Sequence, residues 1–187
     1  FERAMDGAAG GGHLSVVEWL HANRREGCTF AAMDRAAENG YLGVVQFLHT
    51  NRTEGCSPLA LNKAAANGHL TIVEWLHDNR SEGCTTAAMD LAATNGHLFM
   101  VQWLHFNRSE GCTPKAMDRA AMNGHLSVLE WLYANRSEGC SGAAMKWAAM
   151  NGHKYVVEWL RVRYPGLAEA RVENGTDTPF IPHPLSR

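Results

Sequence analysis

"NRSEGC" stands at 79–84, 107–112 and 135–140, with near copies "NRREGC" at 23–28 and "NRTEGC" at 51–56. All five cysteines of the chain close that phrase. They fall 28 residues apart every time, at Cys28, Cys56, Cys84, Cys112 and Cys140. Self-similarity at a fixed period of roughly 20–50 residues marks an architecture of stacked repeats. The same frame aligns Met5, Met33, Met89, Met117 and Met145, and Trp19, Trp75, Trp103, Trp131 and Trp159. Five units run from 1 to 140, and a sixth opens at 141 and fades near Arg163. We therefore expect a repeat array over 1–164, with units starting at 1, 29, 57, 85, 113 and 141. A Pro-rich tail over 165–187 should either cap the array or be disordered.

Each unit reads as two helices. Thr29, Ser57, Thr85, Thr113 and Ser141 hold the first position, where a hydroxyl can cap the free N–H groups of a starting helix. Pro58 and Pro114 follow directly, at a position where proline forfeits no helical hydrogen bond. About ten residues later comes Asn-Gly, at 39–40, 67–68, 95–96, 123–124 and 151–152, where glycine can supply the left-handed residue that ends a helix. A second apolar period follows, as in "HLTIVEWLHDN" (69–79), with Leu70, Ile72, Val73 and Leu76 on one face. The unit is cap, helix, Asn-Gly stop, helix and the NRxEGC turn.

The stretch "AMDLAATNGHLFMVQWL" (88–104) resembles the ankyrin repeat, whose pattern Ala-Ala-x-x-Gly-His-x-x-Val-Val-x-x-Leu joins an inner helix to an outer one. The likeness covers all six units, about 1–162. Two departures stand out. The ankyrin unit is about 33 residues long, against 28 here, and Thr85 lies seven residues before Ala92 rather than five. The resemblance thus implies an all-α helical repeat solenoid of six ankyrin-like helix-turn-helix units. Their inter-repeat loops should be shortened, with little or no β-hairpin. It also implies that the first helices line a concave surface where partners bind, and that the histidine after Asn-Gly bonds to adjoining backbone.

The recurring chemistry reads as structural. An odd number of cysteines spoils a complete disulfide framework. Stacked helices lie roughly 8–10 Å apart, beyond the Cα separation of about 7 Å that a disulfide spans. No CxxC or Cys-x-His spacing suggests a metal, so no cofactor and no metal site is expected. Nine of the ten histidines occupy two repeat positions, and His97 and His105 are too far apart along one helix to share an ion. The tryptophans, set beside the Val-Val and Leu positions, should pack in the core or between repeats. Asn51, Asn79, Asn107 and Asn135 sit in glycosylation acceptor patterns, the mark of a secreted repeat protein. The need for Asn as a helix stop and the five unpaired thiols favour an intracellular, cytoplasmic setting instead.

In a solenoid, variable positions are where binding can be written. Counting from the cap, positions 3, 7 and 10 vary most and share one face of the first helix. They supply the candidate partner-binding residues Arg35, Lys63, Leu91, Lys115, Arg119, Met122, Trp147 and Met150, with Lys146 beside them at position 6. Aromatic, Met and Arg side chains together have the composition of interface hot spots. The remaining position-6 residues, Asp6, Asp34, Asn62, Asp90 and Asp118, are taken to border the same face. No nucleophile, acid–base pair or phosphate loop stands outside the frame, so catalysis is not expected. The basic inner residues allow single-stranded nucleic acid as an alternative ligand. A net charge of −2 and the lack of one stacking aromatic per unit weigh against it. No apolar run has the roughly 20 residues of a membrane span. The expected function is a monomeric, non-catalytic protein-interaction scaffold.

Overall fold

A computed structural model describes residues 2–166 and 180–181. The described chain divides into two compact units, Phe1–Ala88 and Met89–Arg187. The first holds the helix pairs α1 (Glu2–Gly10) with α2 (Leu14–Asn23), α3 (Phe30–Glu38) with α4 (Leu42–Asn51), and α5 (Pro58–Ala66) with α6 (Leu70–Asn79). The second holds α7 (Ala87–Thr94, opening two residues before the division) with α8 (Leu98–Asn107), α9 (Lys115–Met122) with α10 (Leu126–Asn135), and α11 (Gly142–Met150) with α12 (Lys154–Arg163). Pairing of β1 (Cys140–Ser141) with β2 (Phe180–Ile181) is antiparallel, and no other strand occurs among the described residues. The fold is all-α, built of paired helices joined by turns in place of hairpins. The tail residues 167–179 and 182–187 lie outside the described residues, as does Phe1.

Alanine sets how closely the inner helices approach. Ala32, Ala36 and Ala37 of α3 and Ala60, Ala64 and Ala65 of α5 have no exposed surface, and α3 packs between α1 and α5. Behind them the outer helices bury Val45 and Leu48, or Val73 and Leu76. In the second unit Ala116, Ala120 and Ala121 bring α9 against α11, over Leu129, Leu132 and Leu160. Each Asn-Gly junction ends the inner helix on a left-handed glycine, as at Gly40 (φ +87°) and Gly96 (φ +77°). The ring of the next repeat lies over that glycine: His69 over Gly40, His125 over Gly96 and His153 over Gly124. A side chain there would strike the ring as well as strain the backbone.

The position-6 residues prove to be the fasteners between repeats. Asp6, Asp34, Asp90 and Asp118 are 4–7% exposed, so they do not border a solvated face. Each carboxylate accepts both donors of the next repeat's cap. The Thr29 N–H reaches Asp6 Oδ1 and its hydroxyl reaches Oδ2, both at 2.8 Å. Ser57 does the same on Asp34 at 2.8 and 2.6 Å, Thr113 on Asp90 at 2.8 and 2.7 Å, and Ser141 on Asp118 at 2.7 Å twice. The cap oxygen meanwhile accepts the N–H two residues on, as Thr29 does from Ala31 at 3.1 Å. Asn62 makes the same clamp with one bond reversed: the Thr85 N–H donates to its Oδ1 and its Nδ2 donates to the Thr85 hydroxyl, both at 3.0 Å.

The NRxEGC phrase is a corner that also grips the corner before it. Asn51 and Asn79 donate their side-chain amides to the carbonyls of Phe47 and Trp75, closing the outer helix at 2.9 and 2.8 Å. Arg52 then leaves in extended conformation and pairs with Glu54; Arg80 pairs with Glu82 in the same way. Glu54 accepts the Cys28 N–H of the preceding turn at 3.4 Å, and Glu82 that of Cys56. A Cβ at Gly55 would lie 2.6 Å from the Arg80 guanidinium, and one at Gly111 2.5 Å from that of Arg136. Glycine serves here twice, for its positive φ and for the arginine packed on it.

Two opposite pH responses follow. Arg52 beside Glu54, with backbone N–H groups of Glu54 and Cys28, holds that carboxyl down to about 2 against its burial. Glu82 is burdened by burial, yet Arg80 and the same kind of backbone donors bring it to about 2 as well. These lowered groups add stability above the ordinary carboxyl value of 4.5, and it is lost as pH falls toward 2. For Asp34, Asp90 and Asp118 burial outweighs the cap hydrogen bonds and raises the pKa. Their contribution is complete below the ordinary Asp value and declines as pH rises through the folded one. We predict that Glu54→Gln/Glu82→Gln flattens the fall of thermal midpoint between pH 4.5 and 2, measured by circular dichroism. An unchanged slope would remove the turn glutamates from the acid response. At the clamp, Asp118→Ala leaves two donors of Ser141 without an acceptor, for a loss of about 1–3 kcal/mol. Asp118→Asn copies Asn62 and should lose less than half as much in urea unfolding. Equal losses would show that the clamp geometry is immaterial.

Candidate functional site

The candidate residues lie on inner helices, and their exposure separates them. In the first unit Arg35 on α3 is exposed, while Lys63 on α5 is half-buried and bonded to Glu38 at 3.2 Å. In the second unit Leu91 on α7 and Arg119 and Met122 on α9 are half-buried, and Lys115 is exposed. On α11 Lys146 is exposed, Trp147 is 37% exposed and Met150 is 73% exposed. Since α9 packs on α11, positions 7 and 10 of the two helices bring Arg119 and Met122 alongside Trp147 and Met150. The result is an apolar strip of Met and Trp edged by Lys115, Arg119 and Lys146. Lys146 takes the place of the clamping Asp, and its ammonium stands in solvent rather than on a cap. One unit further along the sequence is Glu169, with no hydroxyl to clamp.

The tryptophans are not core residues. Trp19 is 55% exposed, and Trp75, Trp131 and Trp159 are half-buried. Trp75, Trp131 and Trp159 form an edge-on ladder between outer helices: His49 meets Trp75 at 5.0 Å, His105 meets Trp131 at 5.1 Å and Tyr133 meets Trp159 at 5.5 Å between ring centroids. Phe47 takes the same place against His21 at 5.7 Å. Arg80 Nη1 lies 3.4 Å from His49 Nδ1, and Arg136 Nη1 equally far from His105 Nδ1. Arginine only donates, so in these contacts the Nδ1 atoms are the acceptors. The other histidine set meets backbone as the resemblance implied, with His69 Nε2 3.1 Å from the Glu38 carbonyl.

None of the five cysteines forms a disulfide, and burial dominates the chemistry of four of them. It pushes Cys28 up to about 11, Cys56 and Cys112 up to about 12, and Cys140 higher still. Such thiols stay protonated and react poorly. Among the described residues no three His, Cys, Asp or Glu side chains gather as a metal would need, and no helix is long and apolar enough to cross a membrane.

Two groups escaped the sequence reading. The clamp could have been found from the constant 23-residue step between an acid or amide and a hydroxyl. The second group is Phe99, Phe106 and Tyr155 on the outer helices, 75–85% exposed. Their signal was a large residue at positions that hold Gly, Ser, Thr, Ala or Asp in other units.

A family model described as ankyrin repeats (3 copies) matches residues 33–118 and 61–141, together more than half of the chain. No curated protein matches it. Paired helices meeting at Asn-Gly-His junctions are the architecture that this match describes, and the chain belongs to the ankyrin repeat family.

Proposed function

We propose that this chain is a non-catalytic scaffold that binds a partner protein through the inner helices of its second unit. Ankyrin repeats are generally protein–protein interaction modules and typically non-catalytic. The observation that carries the choice of face is Met150 at 73% exposure beside a partly exposed Trp147. A methionine and a tryptophan held at the surface by an alanine-packed helix form a rigid apolar anchor, and cationic neighbours give it polarity. Lys115, Arg119 and Lys146 would meet acidic side chains of the partner around that anchor. Met122 and Leu91 continue the strip with less exposed surface. Arg35 and Lys63 hold the equivalent register in the first unit, Lys63 already engaged by Glu38.

The compartment we infer is the reducing interior of the cell. Five buried or half-buried cysteines, none of them in a disulfide, support it. So does the use of Asn51, Asn79, Asn107 and Asn135 as helix ends, each with the nitrogen that a glycan would need donating to a carbonyl.

The test is affinity capture from cell extract with the native chain and with Arg119→Glu/Trp147→Ala, after circular dichroism shows equal folding. A partner recovered by the native chain should fall at least about tenfold with the variant, the scale of a hot-spot loss. Equal recovery would place binding elsewhere. Recovery abolished by nuclease, and falling steeply with salt, would turn the reading to nucleic acid.

A further inference from the structure

The last repeat of a stack has a neighbour on one side only, so its end is where an array frays first. What it lacks can be named from the repeats before it. At the corners, the N–H groups of Cys28 and Cys56 are taken by the turn glutamates of the following repeats, Glu54 and Glu82. At the junctions, the carbonyls of Glu38, Thr94 and Met122 each accept the side-chain amide of the following repeat's asparagine at 2.7 Å. His125 and His153 cover Gly96 and Gly124. The 28-residue pattern fades near Arg163, and on the junction side of the sixth unit the loss is visible. Among the described residues no atom comes within 4 Å of where a Cβ on Gly152 would stand, and Met150 is largely exposed.

The corner side shows no such loss. Cys140 has no exposed surface, less than the 7% of Cys28 and the 9% of Cys112, which do have a full repeat after them. Two groups close that corner. Tyr164, just past α12, is 1% exposed, with its hydroxyl 3.6 Å from Met117 Sδ and its ring 5.7 Å from that of Tyr133. Burial raises its phenol pKa, and the nearby Cys140 adds to the rise. The other group is β2, whose register sets Cys140 opposite Ile181 and Ser141 opposite Phe180. Ser141 commits its N–H to Asp118 at 2.7 Å, which leaves the Cys140 N–H as the donor that β1 can give to the pairing. In earlier repeats that same N–H is the one met by the next turn's glutamate. A hydrogen-bonded antiparallel pair exchanges both N–H···O bonds, so Ile181 donates in return. Pro179 and Pro182 flank the strand, and since proline has no N–H they limit how far the ladder can extend. We propose that β2 takes the place of a seventh repeat: by pairing with β1 it closes the corner end of the array and holds α11 in its seat on α9. Because α11 carries Lys146, Trp147 and Met150, the strand also steadies the face assigned to the partner, but its role does not depend on that assignment.

The buried thiol beside the strand supplies the readout. Ile181→Pro in the full chain removes the N–H that the pairing needs, changes no charge and still favours extended backbone at Phe180. Ile181→Val keeps the N–H and serves as its control. Each protein is alkylated with iodoacetamide under native conditions, and the rate at every cysteine is read by peptide mass spectrometry. Labelling of Cys140 should rise about tenfold or more in Ile181→Pro, because opening of the corner is local, while Cys28 and Cys56 in the first unit keep their native rates. Amide hydrogen exchange over 142–150 should quicken by a similar factor, with 30–38 unchanged. Ile181→Val should match the native chain in both measurements. An unchanged Cys140 rate in Ile181→Pro would overturn the proposal, since the corner would then be closed without the strand. A rise shared equally by Cys28 and Cys56 would overturn it too, because the substitution would be acting on the whole array. Neither result bears on the inner face, which the capture experiment with Arg119→Glu/Trp147→Ala tests separately.

Discussion

The structure depends on one two-bond clamp, offered by position 6 of each of the first five repeats to the cap of the next. A starting helix has N–H groups with no partner inside the helix, and a lone hydroxyl satisfies one of them. Here the hydroxyl is itself oriented by a buried carboxylate, which also takes the cap residue's own N–H. Because that carboxylate belongs to the preceding repeat, beginning a helix and stacking a repeat become the same event. The intrinsic and nearest-neighbour stabilities that describe repeat arrays are thereby tied together at one residue. Asn62 shows that the geometry, not the charge, is what the site demands.

A second fastening works at the other end of each repeat by a different means. The turn arginine, braced by its own glutamate, lies on the glycine of the turn before, and that glutamate reaches back for a backbone N–H. The clamp is buried, so its carboxylates are pushed up in pKa; at the half-exposed turn an arginine and backbone N–H groups outweigh burial, so its glutamates are pulled down. The phrase that recurs so visibly in the sequence therefore has two roles. It reverses the chain direction, and it supplies the ion pair that holds neighbouring corners in register.

Much of this was legible beforehand because it is local. Period, helix pairs, cap hydroxyls and stop glycines are each fixed by a few consecutive residues and by backbone sterics that apply in any context. The carboxylates were not legible in the same way. Repetition shows that position 6 matters, but the inner face of the helix and the boundary between repeats lie one residue apart, and only packing separates them. The tryptophans were legible in part: size and apolar neighbours pointed to the core or to the seams between repeats, and since the core is filled by alanine and branched aliphatics, the rings span neighbouring outer helices edge-on. Of the candidate face, Trp147, Met150 and Lys146 stand out in solvent, while Lys63 is drawn into a bond with Glu38 and Leu91 is partly covered. Those outcomes turn on side-chain neighbours a whole repeat away.

Fastening by fixed positions leaves the others free to differ without loss of stacking. In the second unit that freedom has been used on both sides of the same helix pairs. The inner helices α9 and α11 set Met and Trp among Lys115, Arg119 and Lys146, while the outer helices set Phe and Tyr among charges of both signs, Glu130 and Glu158 with Lys154, Arg161 and Arg163. The repeat thus separates what holds it together from what it presents, which is why its sequence announces the fold so plainly and the ligands so quietly.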